Sequence, residues 1–228
     1  MMKLRYSMAA FALLAGLTAP VQAQKIIGAV GAVIDVSGPG DPGGSIVDTF
    51  NQNGLSVTYV SGVTDFDPYI AGSPSHTIIY SGFEWFGNSG TTTAVVTYDL
   101  GSVFTIDRLA LWNEEFSGIG LLDVLGSVDG VTFGLLGAGF TPTNNPPVGD
   151  YLADVFALSA TAVRYVRLDM SECPQPGGGG YVSCSIGEVA FRTVNGAVPE
   201  PATWAMLVGG FALAGAAMRT RARRVQFG

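Results

Sequence analysis

An all-β sandwich is the fold class that this chain of 228 residues predicts, and three observations predict it. Glycine and proline are abundant, with 32 and 12 residues, and they fall between short apolar runs as turn signals do. Charged residues are sparse, at 13 % of the chain. β-branched and aromatic residues recur in short bursts rather than at helical spacing, the pattern of many short strands. Between the two ends, residues 24–197 are long enough to build one domain around a substantial core.

The elements can be justified in order. Lys3 and Arg5 precede an apolar run over 8–17, and Val21-Gln22-Ala23 places small residues at the cleavage-determining positions. Residues 1–23 therefore predict a secretory signal peptide, cut after Ala23 to leave Gln24 as the mature N-terminus. The run is too short to span a bilayer and is followed by Pro20. Strands are expected over 55–60, 93–100, 106–112, 120–127, 133–140, 163–170 and 185–192. Alternation is imperfect at Arg108-Leu109-Ala110-Leu111 and at Val163 to Leu168, as expected where a sheet is covered on both sides or twisted. Val128-Asp129-Gly130-Val131 reads as a hairpin, with Asp-Gly supplying the positive φ that such turns need. Cys173 and Cys184 bracket Pro174-Gln175-Pro176 and four consecutive glycines at 177–180. Closing that loop would remove roughly 2 to 3 kcal/mol of unfolded-state entropy. In an exported protein a disulfide is expected over free thiols, and without a further Cys or a neighbouring His the pair is a poor zinc site.

The last segment, 198–228, carries three devices. Val198-Pro199-Glu200-Pro201-Ala202 is an extended stalk, because the prolines fix φ and withhold backbone donors. An uncharged apolar stretch to Met218 follows, at about 17 residues the short end of what spans a hydrocarbon core. Arg219, Arg221, Arg223 and Arg224 would then stop transfer and stay cytoplasmic. This tail resembles the PEP-CTERM sorting signal of exopolysaccharide-producing Gram-negative bacteria. The resemblance implies that Pro199, Glu200 and Pro201 are recognised by an exosortase-type membrane protease. It also implies transient anchoring in the membrane by the C-terminal helix, removal of the tail, and delivery to the cell surface or the medium.

A second resemblance runs through the body. Tyr98-Asp99-Leu100-Gly101, Ile106 to Trp112, Gly126-Ser127-Val128-Asp129-Gly130-Val131-Thr132-Phe133, Val163-Arg164-Tyr165-Val166-Arg167-Leu168 and Ile186-Gly187-Glu188-Val189-Ala190-Phe191 follow one another as in the discoidin, or coagulation-factor-5/8 type C, module. That resemblance implies a galactose-binding-like jelly roll of about eight strands. The early loop departs from the family pattern, appearing only as Ser45 to Gly54, with a long insertion before Trp85. In carbohydrate-binding relatives an early Asp and a Glu opening the last strand share a structural calcium ion. The matching positions are Asp48 and Glu188, with Asn51 or Asn53 as further oxygen donors. The alternative for Glu188, which sits in an apolar strand, is a salt bridge to Arg164, Arg167 or Arg192.

Charge and chemistry narrow the function. Residues 24–197 carry five basic side chains against seventeen acidic ones, about −12, with no basic stripe interleaved with aromatics, which excludes nucleic acid as a partner. His76 is the sole histidine and lies in a polar Ser73-Pro74-Ser75 setting, so it reads as a surface residue. No nucleophile elbow, phosphate loop or metalloprotease motif occurs. Asp65 with Asp67, and Glu114 with Glu115, are too close in sequence to span the roughly 5 to 9.5 Å of a glycosidase pair and read as solvated loop charge. No catalytic residue is assigned. Two aromatic clusters, 83–88 and 112–116, could meet a sugar ring, with Trp85, Asn113 and Glu114 as the expected contacts and Trp112 as an internal residue. The expected function is that of an exported, non-enzymatic surface or matrix protein that binds extracellular polysaccharide through its loops. The alternatives are a secreted hydrolase of carbohydrate or ester bonds using Glu84, Glu114 or Glu115, and a purely structural envelope protein.

Overall fold

The structure, a computed structural model, describes residues 24–177, 181–194 and 210–211. The expected signal peptide, 1–23, and the sorting tail with Pro199, Glu200, Pro201 and its four arginines lie outside the described residues, apart from two helical positions at 210–211. Among the described residues no helix is long and apolar enough to cross a membrane.

The chain is all-β, as its turn-rich composition predicts. Its strands are β1 (Gln24–Ile27), β2 (Gly31–Val36), β3 (Ser75–His76), β4 (Trp85–Phe86), β5 (Ala94–Trp112), β6 (Leu121–Ser127), β7 (Gly134–Phe140), β8 (Tyr151–Leu152), β9 (Asp154–Ser171), β10 (Ser185–Ile186) and β11 (Glu188–Val194). A 3-10 turn (Ile46–Thr49) and a short helix α1 (Phe66–Ala71) interrupt them. Seven strands are four residues or longer, against the eight or so expected. The two runs expected at 93–100 and 106–112 are one continuous strand of 19 residues, and the strand expected at 163–170 begins nine residues earlier. The run at 55–60 is not a strand; Leu55 makes an isolated bridge to His76. β1 and β2 were not expected, since their apolar runs are short and broken by Gly28 and Gly31.

One antiparallel sheet in the order β1-β11-β5-β9-β6-β7, with β2 added on β5, becomes a sandwich because β5 and β9 both bend. Alternate burial runs cleanly from Ala94 to Leu100, fails over the exposed residues 101–103, and resumes out of phase after register shifts at 99–104 and 106–108. Gly101 stands at the bend with φ +80°, where a side chain would be strained. Before the bend β5 pairs with β2 and with the second half of β9; after it, with β11 and the first half of β9. Both halves point into one core, Val96, Tyr98, Leu122 and Leu168 from the first meeting Leu109, Leu111, Val189 and Phe191 from the second. The Tyr98 and Phe191 rings meet edge-on across it, 6.4 Å apart.

The halves differ on their outer faces. Ala110, Trp112 and Ala190 are covered by Leu55, Tyr59, Phe66 and Tyr69 from the 55–71 segment, which accounts for four consecutive buried positions at 109–112. Among the described residues the outer face of the first half has no such cover: Thr97, Asp99, Tyr165, Arg167 and Asp123 are all partly exposed. Cys173 and Cys184 form a disulfide, as the glycine-rich loop between them predicts.

The β6–β7 hairpin forms where Asp-Gly predicts it. Gly130 adopts φ +75°, and Asp129 Oδ1 accepts N–H bonds from Val131 and Thr132, each at 2.9 Å. Those bonds, with the Ser127 hydroxyl, hold the Asp129 carboxyl down at about 2. A carboxyl depressed on folding adds stability above its unfolded range, lost as pH falls through the folded value. Asp129→Ala is therefore expected to lower the unfolding midpoint at pH 7, with the gap to wild type closing between about pH 4 and pH 2, as followed by circular dichroism.

Candidate functional site

Three places hold the chemistry-bearing side chains. The first is the loop facing the start of β11. Asp48 lies in the 3-10 turn and closes a capping box, its Oδ2 accepting the Ser45 N–H at 2.9 Å while Oδ1 accepts the Asn51 amide at 3.0 Å. Asn51 Oδ1 in turn accepts the Asn53 N–H at 2.8 Å. Glu188 is fully buried beside this loop; its Oε2 accepts the Gln52 N–H at 2.9 Å, and its Oε1 has no partner. Burial pushes the Glu188 carboxyl well up, against the Gln52 N–H and with the Asp48 charge adding to the rise. Among the described residues no arginine pairs with it: Arg164 pairs with Asp99, Arg167 with Asp35, and Arg192 with Asp67 and Asp107. The structure thus brings Asp48, Asn51 and Glu188 together. A buried carboxylate oxygen without a partner, close enough to feel the Asp48 charge, fits an oxygen-seeking calcium ion. Asn53 brings its backbone N–H, and its side chain is exposed.

The second place is the pair of aromatic clusters, which lie largely in the interior, with Phe83 half-buried and Phe116 exposed. Trp85 is fully buried, its indole N–H donating to the Pro39 carbonyl at 3.2 Å, so no ring face is presented to a ligand. Asn113 is also fully buried. Its amide N–H groups donate to the carbonyls of Ile119 and Thr143 and to Gln175 Oε1, and its Oδ1 accepts the Ile119 N–H at 2.8 Å, which organises the turn after β5. Glu114 is sealed in the same turn, accepting the N–H groups of Phe116 at 2.8 Å and Ser117 at 2.5 Å and the Ser185 hydroxyl at 2.6 Å. The three expected ligand contacts are thus spent inside the fold. Trp112 is internal as expected, its N–H donating to the Pro74 carbonyl at 2.9 Å.

His76 and the neighbouring acids are likewise not surface residues. His76 and Glu84 are fully buried and Glu115 is 2 % exposed. His76 Nδ1 donates to the Thr77 carbonyl at 2.9 Å and lies 3.1 Å from the Tyr151 hydroxyl, which itself donates to Glu84 Oε1 at 2.5 Å. Glycine is required where this group packs: a Cβ at Gly54 would lie 2.0 Å from His76 Nε2, and one at Gly187 2.2 Å from the Tyr151 hydroxyl. Burial pushes Glu114 up to about 7 and Glu115 up to about 8, the neighbouring carboxylates adding to both. Asp65 and Asp67, by contrast, are exposed and bind Lys25 and Arg192.

The third place went unseen in the sequence. On the open outer face of the first half-sheet, Gly31, Ala32, Val33, Asp35, Thr97, Asp99, Asp129, Gly130, Tyr165 and Arg167 line a shallow groove of about 470 Å³. Cross-strand register aligns its rows, Asp99 opposite Tyr165 and Thr97 opposite Arg167. Arg167 lies over the Phe133 ring at 3.9 Å and donates to Thr97 Oγ1 at 3.1 Å, and the Thr97 hydroxyl donates to Asp35 at 2.6 Å. Arg164 grips Asp99 through two bonds of 2.9 Å and stacks on Tyr165 at 5.1 Å. The period-2 alternation at 94–100 was the available signal, since it leaves every odd position facing outward.

No family model matches the chain, and no curated protein matches it. Among solved structures, it is similar to truncated AlyQ with CBM32 and alginate lyase domains, at 15 % identity over 78 % of this chain and 36 % of that one, with a TM-score of 0.49. It is also similar to the C-terminal domain of a chitobiase from Bacteroides fragilis, at 16 % identity over 78 % and 99 %, TM-score 0.46. A mutant form of chitosan-binding module 1 from a chitosanase/glucanase of Paenibacillus sp. IK-5 aligns at 18 % identity over 71 % and 92 %, TM-score 0.45.

The internal position of Trp85 makes a prediction. Trp85→Ala should cost about 3 to 5 kcal/mol in denaturant unfolding, as a buried indole replaced by a cavity does. A loss below about 1 kcal/mol would place the ring outside the core.

Proposed function

We propose that this chain is an exported, non-catalytic surface or matrix protein that binds extracellular polysaccharide on the open outer face of its sheet. The observation that carries the reading is the groove through Asp35, Thr97, Tyr165 and Arg167. Sugars are recognised by planar polar side chains that bond hydroxyls in pairs and by an aromatic edge or face, in a site that needs little rearrangement. The groove supplies carboxylates, a hydroxyl, a guanidinium already held by an aromatic ring, and Tyr165, on paired strands and the turn between β6 and β7. Three aspartates, of which Asp99 is paired with Arg164 and Asp35 with Arg167, on a body of about −12, favour a neutral or amino-bearing polymer over an acidic one. The hydrolase reading loses its residues, because Glu84, Glu114 and Glu115 are closed off from any substrate.

The addressing signals complete the proposal. Pro199-Glu200-Pro201, the apolar stretch and the four arginines would be read by an exosortase-type protease, which removes the tail after the signal peptide has directed export.

Two outcomes test this reading. The full chain should be retarded on a gel of the producing bacterium's own exopolysaccharide and not on a dextran gel, and Tyr165→Ala should weaken the retention at least about tenfold, or 1.4 kcal/mol. Absence of retardation, or equal retardation of the variant, would contradict it. In the native host, replacing Pro199, Glu200 and Pro201 by alanine should leave the tail on, seen as a mass increase of the exported protein; unchanged processing would sink the sorting reading.

A further inference from the structure

Glu84, Glu114 and Glu115 bring carboxylate oxygens within 4.8 Å of one another in the interior. Glu84 immediately precedes β4, Glu114 and Glu115 follow the end of β5 after Asn113, and the Ser185 hydroxyl of β10 donates to Glu114. Of the cluster's six oxygens, Glu84 Oε2 and both oxygens of Glu115 are buried without any partner. Glu114 accepts only from donors, so its carboxylate is fixed and cannot turn away from its neighbours. Among the described residues the ion pairs of Lys25, Arg164, Arg167 and Arg192 all go to aspartates, and the basic group within ion-pair reach of the cluster is His76, whose Nδ1 lies 3.6 Å from Glu84 Oε1.

Three carboxylates in an apolar interior are costly unless something positive joins them. Oxygens that touch one calcium ion at about 2.4 Å lie no more than roughly 4.8 Å apart, a bound that one oxygen from each of the three side chains meets. The donor set is all oxygen, without sulfur. The one nearby imidazole is not offered: His76 Nδ1 is engaged with Thr77 and Tyr151, and Nε2 packs over Gly54. That disfavours the nitrogen and sulfur ligation zinc favours, and a buried set of carboxylates suits calcium better than magnesium, which keeps several waters.

We propose that Glu84, Glu114 and Glu115 form a buried calcium site that ties the β4–β10 pair to the end of β5. It is separate from the Asp48–Glu188 position, whose residues come from the 3-10 turn and the start of β11. Calcium here supplies positive charge among three clustered carboxylates and locks the turn that Asn113 organises.

The test uses the full chain in mild detergent, stripped with chelator and titrated with calcium chloride by calorimetry and thermal unfolding. Wild type should bind calcium and show a higher unfolding midpoint with it. Glu84→Gln/Glu115→Gln should weaken binding at this site more than about tenfold and lose its share of the midpoint rise, while unfolding in chelator no earlier than wild type. Glu188→Gln should keep that share. Should the double variant fail to fold, Glu115→Gln alone and terbium(III) luminescence of the wild type, sensitised through the adjacent Trp85, carry the same test. Absence of calcium heat and terbium luminescence, or a calcium response kept in full by the glutamine variants, would overturn the proposal.

Discussion

The bend shared by β5 and β9 is the constraint on which the rest of this structure depends. Two strands of 19 and 18 residues run through both layers, so no separate sheets need to find each other; one ladder is creased and its own inner faces close the core. The crease is built from exposed residues 101–103, a glycine at positive φ and a lost register, which lets alternation restart in the opposite phase. Tyr98 before the bend and Phe191 opposite the second half then meet across the interior.

The crease also decides where chemistry can sit. One half-sheet is buried on both faces, because the 55–71 segment folds over Ala110 and Trp112, and its polar groups become part of the interior. The other half keeps an open face, on which cross-strand register aligns charged and aromatic side chains at fixed spacing. A rigid open face positions a ligand without ordering a loop, which lowers the cost of binding. At the end of β5 the turn folds inward, and carboxylates that look like loop charge in the sequence are enclosed with a tyrosine and a histidine.

Much of the fold is legible in the sequence where local rules decide. Period-2 alternation marks 94–100 and 121–127, Asp129-Gly130 marks its hairpin, and two cysteines around a glycine run mark their bridge. The fusion of two runs into β5 is not legible, because the polar residues at the bend read as a turn between strands. The early extension of β9 is hidden by Ala157, Ala160 and Ala162, which have little strand preference. The burial of His76, Glu84 and Glu115 is hidden for another reason: their partners, Tyr151, Ser185 and the glycines at 54 and 187, come from distant segments. Asp48 and Glu188 are singled out in the sequence only by a resemblance, and the tertiary fold sets Glu188 against Gln52, in the loop that follows Asp48.

The most direct measurement of the account is a footprint of ligand on the backbone. Hydrogen exchange of the full chain should be followed with and without oligosaccharides cut from the producing bacterium's exopolysaccharide. Ligand should slow exchange at Ala32, Thr97, Tyr165 and Arg167, on the open half-sheet, while amides of 84–88 and 112–119 remain unchanged. Slowing confined to those turns, with the open face unaffected, would contradict the account.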